Sequence, residues 1–205
     1  MKDVRLIDLA ARQHNRVAHR QLRALGYSDD AIRHRVECGR ITVVERGVYA
    51  VAPVLEDERG LWMGATLTAP ETFLSFVSGG AAYGFWTLPR AFETVTRPGN
   101  GGPRRHGGVR IAYSRTLAGD TTLLGPIPIT SPERVLLDLA AHVERRSLAR
   151  ALREAIRLGR TTIEQVVDHL ERNRGRRGVA RLGRVAAHYS GSRSSAPAAA
   201  RRSGR

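Results

Sequence analysis

The stretch SDDAIRHRVECGRITVVERGVYAV, residues 28–51, contains a short helix pattern followed at once by a hairpin pattern. Ser28 is suited to cap the helix, because its hydroxyl can accept a hydrogen bond from an unpaired amide of the first turn. Ile32 and Val36 lie four residues apart and therefore share one face of that helix. Apolar and β-branched residues then flank a glycine-bearing turn, which predicts a two-stranded ribbon with strands at 41–44 and 48–51.

Two further helix patterns precede this stretch. Apolar residues recur at helical spacing in VRLIDLAARQ (4–13) and in AHRQLRALGY (18–27), and an extended piece around Val17 separates them. Gly26 suits the end of the second helix, since glycine adopts left-handed backbone conformations without a steric penalty. This order of helices followed by a hairpin is that of a winged helix-turn-helix.

The rest of the chain mixes helix and strand patterns. One helix start is clear: Ser131 is suited to cap it, and Pro132 occupies its first position. We therefore predict an α+β fold, in which a winged helix-turn-helix is followed by a mixed α/β domain that ends in a helical segment. Pro53 and the acidic residues after it mark the first boundary. The predicted units are the winged helix (1–52), the α/β domain (53–189) and a disordered Ser/Ala/Arg tail (190–205).

The composition favours a polyanionic partner. The formal net charge is +15 and the hydrophobic share is 41%, which is ordinary for a globular protein. Such a charge favours nucleic acid over an anionic membrane surface. Lys2 is the only lysine among 34 basic residues, a bias typical of GC-rich genomes, so the positions of the arginines must carry the argument.

Other classes of protein are disfavoured by what the sequence contains. Cys38 is the only cysteine, which excludes an intrachain disulfide and a cysteine-rich zinc site. The N-terminal residues MKDVRLIDLA lack the apolar core of a signal peptide, and no apolar run approaches the ~20 residues that span a bilayer. We expect a cytoplasmic protein without a membrane partner.

The basic residues around the hairpin suggest a DNA-binding surface. The major groove admits one α-helix and is flanked by phosphates, so a reader of DNA needs an exposed polar helix with cations beside it. Asp29 and Asp30 count against strong affinity, since carboxylates at the start of that helix repel phosphate. The alternative is a solvated helix and hairpin in an arginine-rich protein. The predicted DNA-binding residues are Arg20, Ser28, Arg33, His34, Arg35, Arg40 and Arg46.

Two long segments resemble a known family. The run LAARQHNRVAHRQLRALGYSDDAIRHRVECGRITVVERGVYAV and the later ITSPERVLLDLAAHVERRSLARALREAI are similar to AbiEi-like antitoxins of bacterial type IV toxin–antitoxin systems. The resemblance extends over residues 5–189. Within the family it is greatest to an actinobacterial group in which this module precedes a very-short-patch-repair-like endonuclease domain.

The resemblance implies a function for each part. The winged helix would bind its own promoter, and the α/β domain would counter a nucleotidyltransferase-like toxin. Family members often carry serine or arginine where Asp29 and Asp30 stand. Where longer relatives continue into the nuclease, this chain ends in its Ser/Ala/Arg tail, so we do not expect nuclease activity. The open alternatives are an antitoxin that acts through protein contacts without strong DNA binding, and a truncated remnant of a winged-helix–endonuclease fusion.

Arginines elsewhere form two groups. The loop RPGNGGPRRHGG (97–108) does not fit a dinucleotide fingerprint and lacks the P-loop lysine. It is either a phosphate-contacting loop or a mobile hairpin loop. Arginines at 146, 150, 153 and 157 follow helical spacing and form either a solvated face or a surface for a toxin or DNA. The auxiliary phosphate or partner contacts predicted from both groups are Arg104, Arg105, Arg150, Arg153 and Arg157.

No catalytic or metal-binding pattern is present in the sequence. The segment FVSGG lacks the first glycine of a nucleophile elbow, and the seven histidines are scattered without an HExxH arrangement. Asp138 lies on a strongly apolar helix, where a capping or salt-bridge role is expected rather than general-base work. Trp62, Tyr83, Phe85 and Trp86 are expected in the core. We predict a protein without enzymatic activity, cofactor or metal.

Overall fold

The computed structural model describes residues 2–51 and 57–194, and within residues 2–51 three helices pack on a three-stranded antiparallel sheet. Ser28 Oγ accepts a hydrogen bond from the Ala31 amide at 3.2 Å, so the predicted cap is confirmed. The strands are arranged in the order β1-β3-β2. The elements are α1 (Lys2–Ala11), β1 (Arg16–Ala18), α2 (His19–Ala24), α3 (Asp29–Glu37), β2 (Ile41–Glu45) and β3 (Val48–Val51).

These elements enclose a small core of their own. Leu22, Ile32 and Ile41 are buried at its centre, with Leu6 from α1 and Tyr27 beside them. Fully burying one such aliphatic side chain stabilises a fold by about 1.5–3 kcal/mol. The predicted winged helix-turn-helix is confirmed, and so is the hairpin, whose strands pair from Ile41 opposite Val51.

Residues 57–194 form one mixed sheet with helices around it. The last helix extends to Ser194 and therefore includes the first five residues of the predicted tail, 190–194. The remaining tail, 195–205, and the predicted boundary at Pro53 lie outside the described residues. The elements are α4 (Glu58–Leu67), β4 (Phe73–Leu74), α5 (Phe76–Ala82), β5 (Glu93–Pro98), β6 (Arg105–His106), β7 (Val109–Ser114), β8 (Thr121–Leu124), β9 (Ile127–Thr130), α6 (Pro132–Ala140), α7 (Arg145–Arg157), α8 (Ile163–Arg172) and α9 (Val179–Ser194).

The sheet order is β6-β7-β5-β4-β9-β8 within the described residues. Strands β5 and β7 are parallel, with Val95 opposite Ile111. A hairpin joins antiparallel strands, so the interpretation of 97–108 as a hairpin loop is wrong. The chain instead leaves β5, turns outward, and returns through β6, which pairs antiparallel with β7. The loop packs on Tyr113, whose hydroxyl donates to the Pro103 carbonyl at 3.2 Å.

Helix α5 is only seven residues long. It ends at Ala82, and Gly84 turns the chain back with a φ of +86°. A Cβ on Gly80 would lie 2.8 Å from Cβ of Trp86, so only glycine at this position allows the returning chain to pack this closely on α5. Trp62, Tyr83, Phe85 and Trp86 are all buried, which confirms their predicted place in the core.

The winged helix and the sheet region contact each other directly. Ala18 and Val48 belong to the larger core, which is centred on the sheet and on helices α4 and α6. Arg16 is buried against the start of α4, where a Cβ on Gly60 would lie 2.6 Å from its Nη2. The three-stranded sheet therefore packs its helices on one face and α4 on the other.

Candidate nucleic-acid interface

Helix α3 presents a polar face to solvent. The side chain of Arg33 is 68% exposed, and His34 is exposed beside it. Ser28 is also exposed, and although its oxygen caps the helix, its hydroxyl proton can still be donated to a phosphate. These three residues can therefore reach a ligand that lies along α3.

The two carboxylates at the start of α3 each have a basic neighbour. Asp29 accepts a hydrogen bond from His19 at 3.1 Å and lies 3.6 Å from Arg23. Asp30 pairs with Arg33 at 2.9 Å. Both pairs are exposed, and such pairs contribute only about 0–1 kcal/mol, so an incoming phosphate can compete for the cations. The repulsion expected from Asp29 and Asp30 is reduced, but α3 itself carries no positive excess.

The side chains of Arg35 and Arg20 are bound to other parts of the chain, which does not fit their predicted role in DNA binding. Arg35 is only 16% exposed: it pairs with Asp3 of α1 and its guanidinium lies 4.7 Å from the Tyr27 ring centroid. Tyr27 also donates a hydrogen bond to Asp3, and this bond, together with Arg35 and Arg40, lowers the pKa of that carboxyl. Arg35 therefore fastens α3 to α1.

Arg20 fastens the winged helix to α4. Its guanidinium donates to the carbonyls of Leu67 at 2.6 Å and Ala69 at 3.4 Å, at the C-terminal end of that helix. Orphan carbonyls at a helix end are well suited to accept from arginine. Burial, and secondly Arg97, lower the pKa of Arg20. We remove Arg20 and Arg35 from the DNA-binding set, since the contacts of both hold the fold together.

The tip of the hairpin, residues 45–47, is held against the arginine-containing loop 97–108, which we call the basic loop. His106 Nε2 donates to the Arg46 carbonyl at 2.7 Å, and the Gly108 amide donates to the Glu45 carboxylate at 2.9 Å. Gly107 lies so close to Glu45 that any side chain there would displace the carboxylate. The Arg46 side chain remains exposed. Sequence analysis missed this anchor, because the partners are about sixty residues apart.

The remaining predicted residues are exposed. Arg40 follows α3, and Arg46 stands at the hairpin tip. Arg104 directly precedes β6 and Arg105 is its first residue, and the Arg105 guanidinium lies 5.5 Å from the centroid of the Phe92 ring. The hairpin tip and the basic loop are neighbours, because His106 is bonded to Arg46. The predicted DNA-binding residue Arg46 therefore lies close to the loop that carries Arg104 and Arg105.

The arginine stripe of α7 is separate from these groups in sequence. Leu148 and Leu152 are fully buried on its inner side. On its outer side Arg153 is exposed, Arg157 pairs with Glu154 at 2.8 Å, and Arg150 donates weakly to Thr87 at 3.4 Å. Arg146, at the start of the stripe, is exposed as well.

A charged network lies buried beneath the sheet region. Arg134, 1% exposed, contacts Asp138 at 3.0 Å and Asp120 at 2.9 Å, so the expected salt bridge of Asp138 is present. Burial raises the pKa of Asp138, and Arg134 opposes that rise. His169 lies 3.6 Å from Asp120, and its burial lowers its pKa, so it is neutral near pH 7. With both carboxylates bound to a cation, the network has the form of a structural tie.

The N-terminal elements correspond to a known family. Residues 4–52 match the family model described as transcriptional regulator, AbiEi antitoxin. The match starts within α1 and ends one residue after β3, so it covers the winged helix. It confirms the resemblance to antitoxin transcriptional regulators for these residues. No curated protein matches the chain significantly.

The fold also occurs in a solved structure. The chain is similar to the crystal structure of the RV2827C protein from Mycobacterium tuberculosis, with a TM-score of 0.57 and 17% sequence identity. The superposition covers 89% of this chain and 74% of the other. The shared architecture therefore includes most of the sheet region as well as the AbiEi-like segment, and at this identity it is a likeness of fold alone.

Neither a membrane span nor a metal cluster occurs in the part of the chain that the structure describes. None of the helices there is both long and apolar enough to cross a bilayer. In the same residues, no group of three or more His, Cys, Asp or Glu side chains is arranged to hold a metal ion.

Proposed function

We propose that the chain is a DNA-binding transcriptional autoregulator of antitoxin type, which binds the promoter of its own gene. The observation that carries this proposal is the family match over residues 4–52, which coincides with a complete winged helix. In this proposal the protein acts in the cytoplasm, without catalysis, in a type IV toxin–antitoxin system whose toxin is nucleotidyltransferase-like.

Helix α3 would enter the major groove and the hairpin would lie along the phosphate backbone. Arg33 and His34 supply the exposed helix face, while Arg40, just after α3, and Arg46, at the hairpin tip, carry exposed charge. Because α3 has three exposed carboxylates, phosphate contacts outside the helix must provide most of the attraction. The occupied operator would then block transcription sterically.

A salt titration tests this proposal. Three arginines that neutralise phosphates give a slope of log K against log salt of about −2.7, at ~0.9 per contact. Gel-shift titration on the upstream DNA should show that slope for the native chain. Arg46→Glu should weaken binding about tenfold or more at low salt, and should make the slope shallower, because it replaces a phosphate partner by a repelling charge.

Arg59→Glu is the matched control for that titration. Arg59 is exposed on α4 and lies outside the proposed surface, so the same change in net charge should alter affinity less than about twofold. A slope near zero for the native chain would reject DNA binding. An equal loss in both variants would reject the assignment to Arg46.

A second candidate is an antitoxin that works through protein contacts. It is favoured by the exposed arginine face of α7, whose inner side is fully packed. The double variant Arg150→Glu/Arg153→Glu should then abolish neutralisation of a co-expressed toxin in a growth assay, because charge reversal repels an acidic partner. Operator binding in the gel-shift assay should stay unchanged. Full neutralisation by the double variant would exclude this face as the toxin contact.

A further inference from the structure

A groove on the sheet region, separate from the winged helix, combines exposed cations with aromatic side chains. It is a cavity of about 710 Å³ between β5, β7 and the ends of α5 and α6. A second, smaller cavity of about 220 Å³ shares several lining residues and continues it toward α9. We call the two together the sheet groove; its lining includes Phe76, Phe92, Arg104, Arg110, Tyr113 and His142, with Arg177 at the far end.

The cations of this groove are available to a ligand. Among the described residues, no acidic side chain forms an ion pair with Arg104, Arg110 or Arg177. Asp138 is the one carboxylate among the described lining residues, and it is buried and bound to Arg134. After Glu171 the sequence contains ten arginines and no acidic residue, so this segment contributes only positive charge.

Two arginines of the groove lie close enough to a histidine inside it to act on its charge. Partial burial lowers the pKa of His142, and Arg177 and Arg110 lower it further. These two arginines belong to elements far apart in sequence, yet both act on the same imidazole. Both therefore lie near His142, Arg110 on β7 and Arg177 just before α9.

The aromatic side chains differ from those of the core. Phe76, Phe92 and Tyr113 are partly exposed, whereas the tryptophans are buried. The Arg110 guanidinium lies 5.5 Å from the Phe92 centroid, and Phe76 lies 5.4 Å from the His142 ring. Phe76 also has a φ of +51°, a left-handed conformation that a bulky residue adopts only when its surroundings impose it.

We propose that the sheet groove binds single-stranded nucleic acid, with phosphates on Arg104, Arg110 and Arg177 and bases on the aromatic side chains. Sites of this type combine a basic groove with aromatic platforms, since every base has a face that can stack. A duplex keeps its bases inside and cannot offer them to a recessed cavity. An acidic peptide would use the cations and leave the aromatic side chains without a role.

Fluorescence anisotropy on the full chain tests this proposal, with labelled 12-nucleotide oligothymidylate and oligouridylate as probes. Arg110→Glu and Arg177→Glu should each weaken binding at least tenfold and reduce the salt slope by about 0.7. Arg59→Glu makes the same charge change outside the groove and should weaken binding less than twofold. The comparison of the two strands distinguishes DNA from RNA as the source of the ligand.

Two further experiments test whether bases stack in the groove and whether the site is distinct from the proposed operator site. An abasic strand of equal length keeps the phosphates, so it should bind at least fivefold more weakly if bases stack on the groove. The variant Arg33→Glu/Arg46→Glu should retain single-strand binding, which separates this site from the proposed operator site. Equal losses in the groove variants and Arg59→Glu, equal affinity of the abasic strand, or equally tight binding of polyglutamate would each overturn the proposal.

Discussion

Replacing Arg134 by methionine is expected to lower the free energy of unfolding by about 3–5 kcal/mol, because it removes the closest cation of two buried carboxylates, Asp120 and Asp138. Arg134 donates to both oxygens of Asp138, to Asp120, to the Thr116 carbonyl at 2.7 Å and to Ser114 at 3.0 Å. Methionine fills a similar volume and makes none of these bonds. Urea denaturation followed by circular dichroism measures the loss.

The exposed pair of α7 provides the comparison. Arg157→Met removes an ion pair with Glu154 on the surface and should cost less than about 1 kcal/mol. Adding Asp138→Leu to Arg134→Met should recover part of the loss, since one stranded carboxylate is then gone. If Arg134→Met cost no more than Arg157→Met, the network would not be the structural tie inferred from its geometry.

Features that depend on neighbouring residues could be predicted from the sequence. Ser28 and Ser131 both cap helices, since a cap needs only its own hydroxyl and an amide three residues later. The glycine turn of the hairpin is equally local. The larger core was predicted in part, because Trp62 and Trp86 are aromatic residues among small ones, and such segments favour close packing.

Features that depend on distant partners could not be predicted. Nothing near Arg35 in the sequence indicates Asp3, and nothing near Arg20 indicates the end of α4. The parallel pairing of β5 with β7 requires knowledge of the whole sheet, so the sequence alone left a hairpin loop between them open as one of two interpretations. In the same way, the anchor between His106 and the hairpin tip arises only after both regions have folded and packed.

The candidate DNA surface contains both kinds of feature, those set by neighbouring residues and those set by distant partners. Spacing placed Arg33 and His34 on an exposed helix, and the structure agrees. Spacing did not show that Asp29 and Asp30 have basic neighbours, since His19 and Arg23 belong to the preceding helix. The sequence therefore predicted the exposure of this helix face correctly, but it overstated both the number of available cations and the repulsion from the carboxylates.

A methyl group at residue 178 is expected to destabilise the chain by about 3 kcal/mol, through a close approach between α9 and α6. Gly178 has a φ of +98°, and a Cβ there would lie 2.7 Å from the Leu137 carbonyl oxygen and 3.1 Å from the Ala141 amide nitrogen. These are backbone atoms of a packed helix and cannot turn aside. Gly178→Ala must therefore combine conformational strain with displacement of α9, each worth about 1–3 kcal/mol.

Gly175→Ala separates the conformational strain from the steric contact. Gly175 has a φ of +82° in the same loop, but a Cβ there meets nothing within 4 Å. Its substitution should cost only the conformational strain, about 1 kcal/mol. Thermal unfolding of both variants measures the difference, which belongs to the contact with α6. Equal losses would mean that α9 shifts at no cost, and the position of Arg177 beside the sheet groove would then not be fixed by this contact.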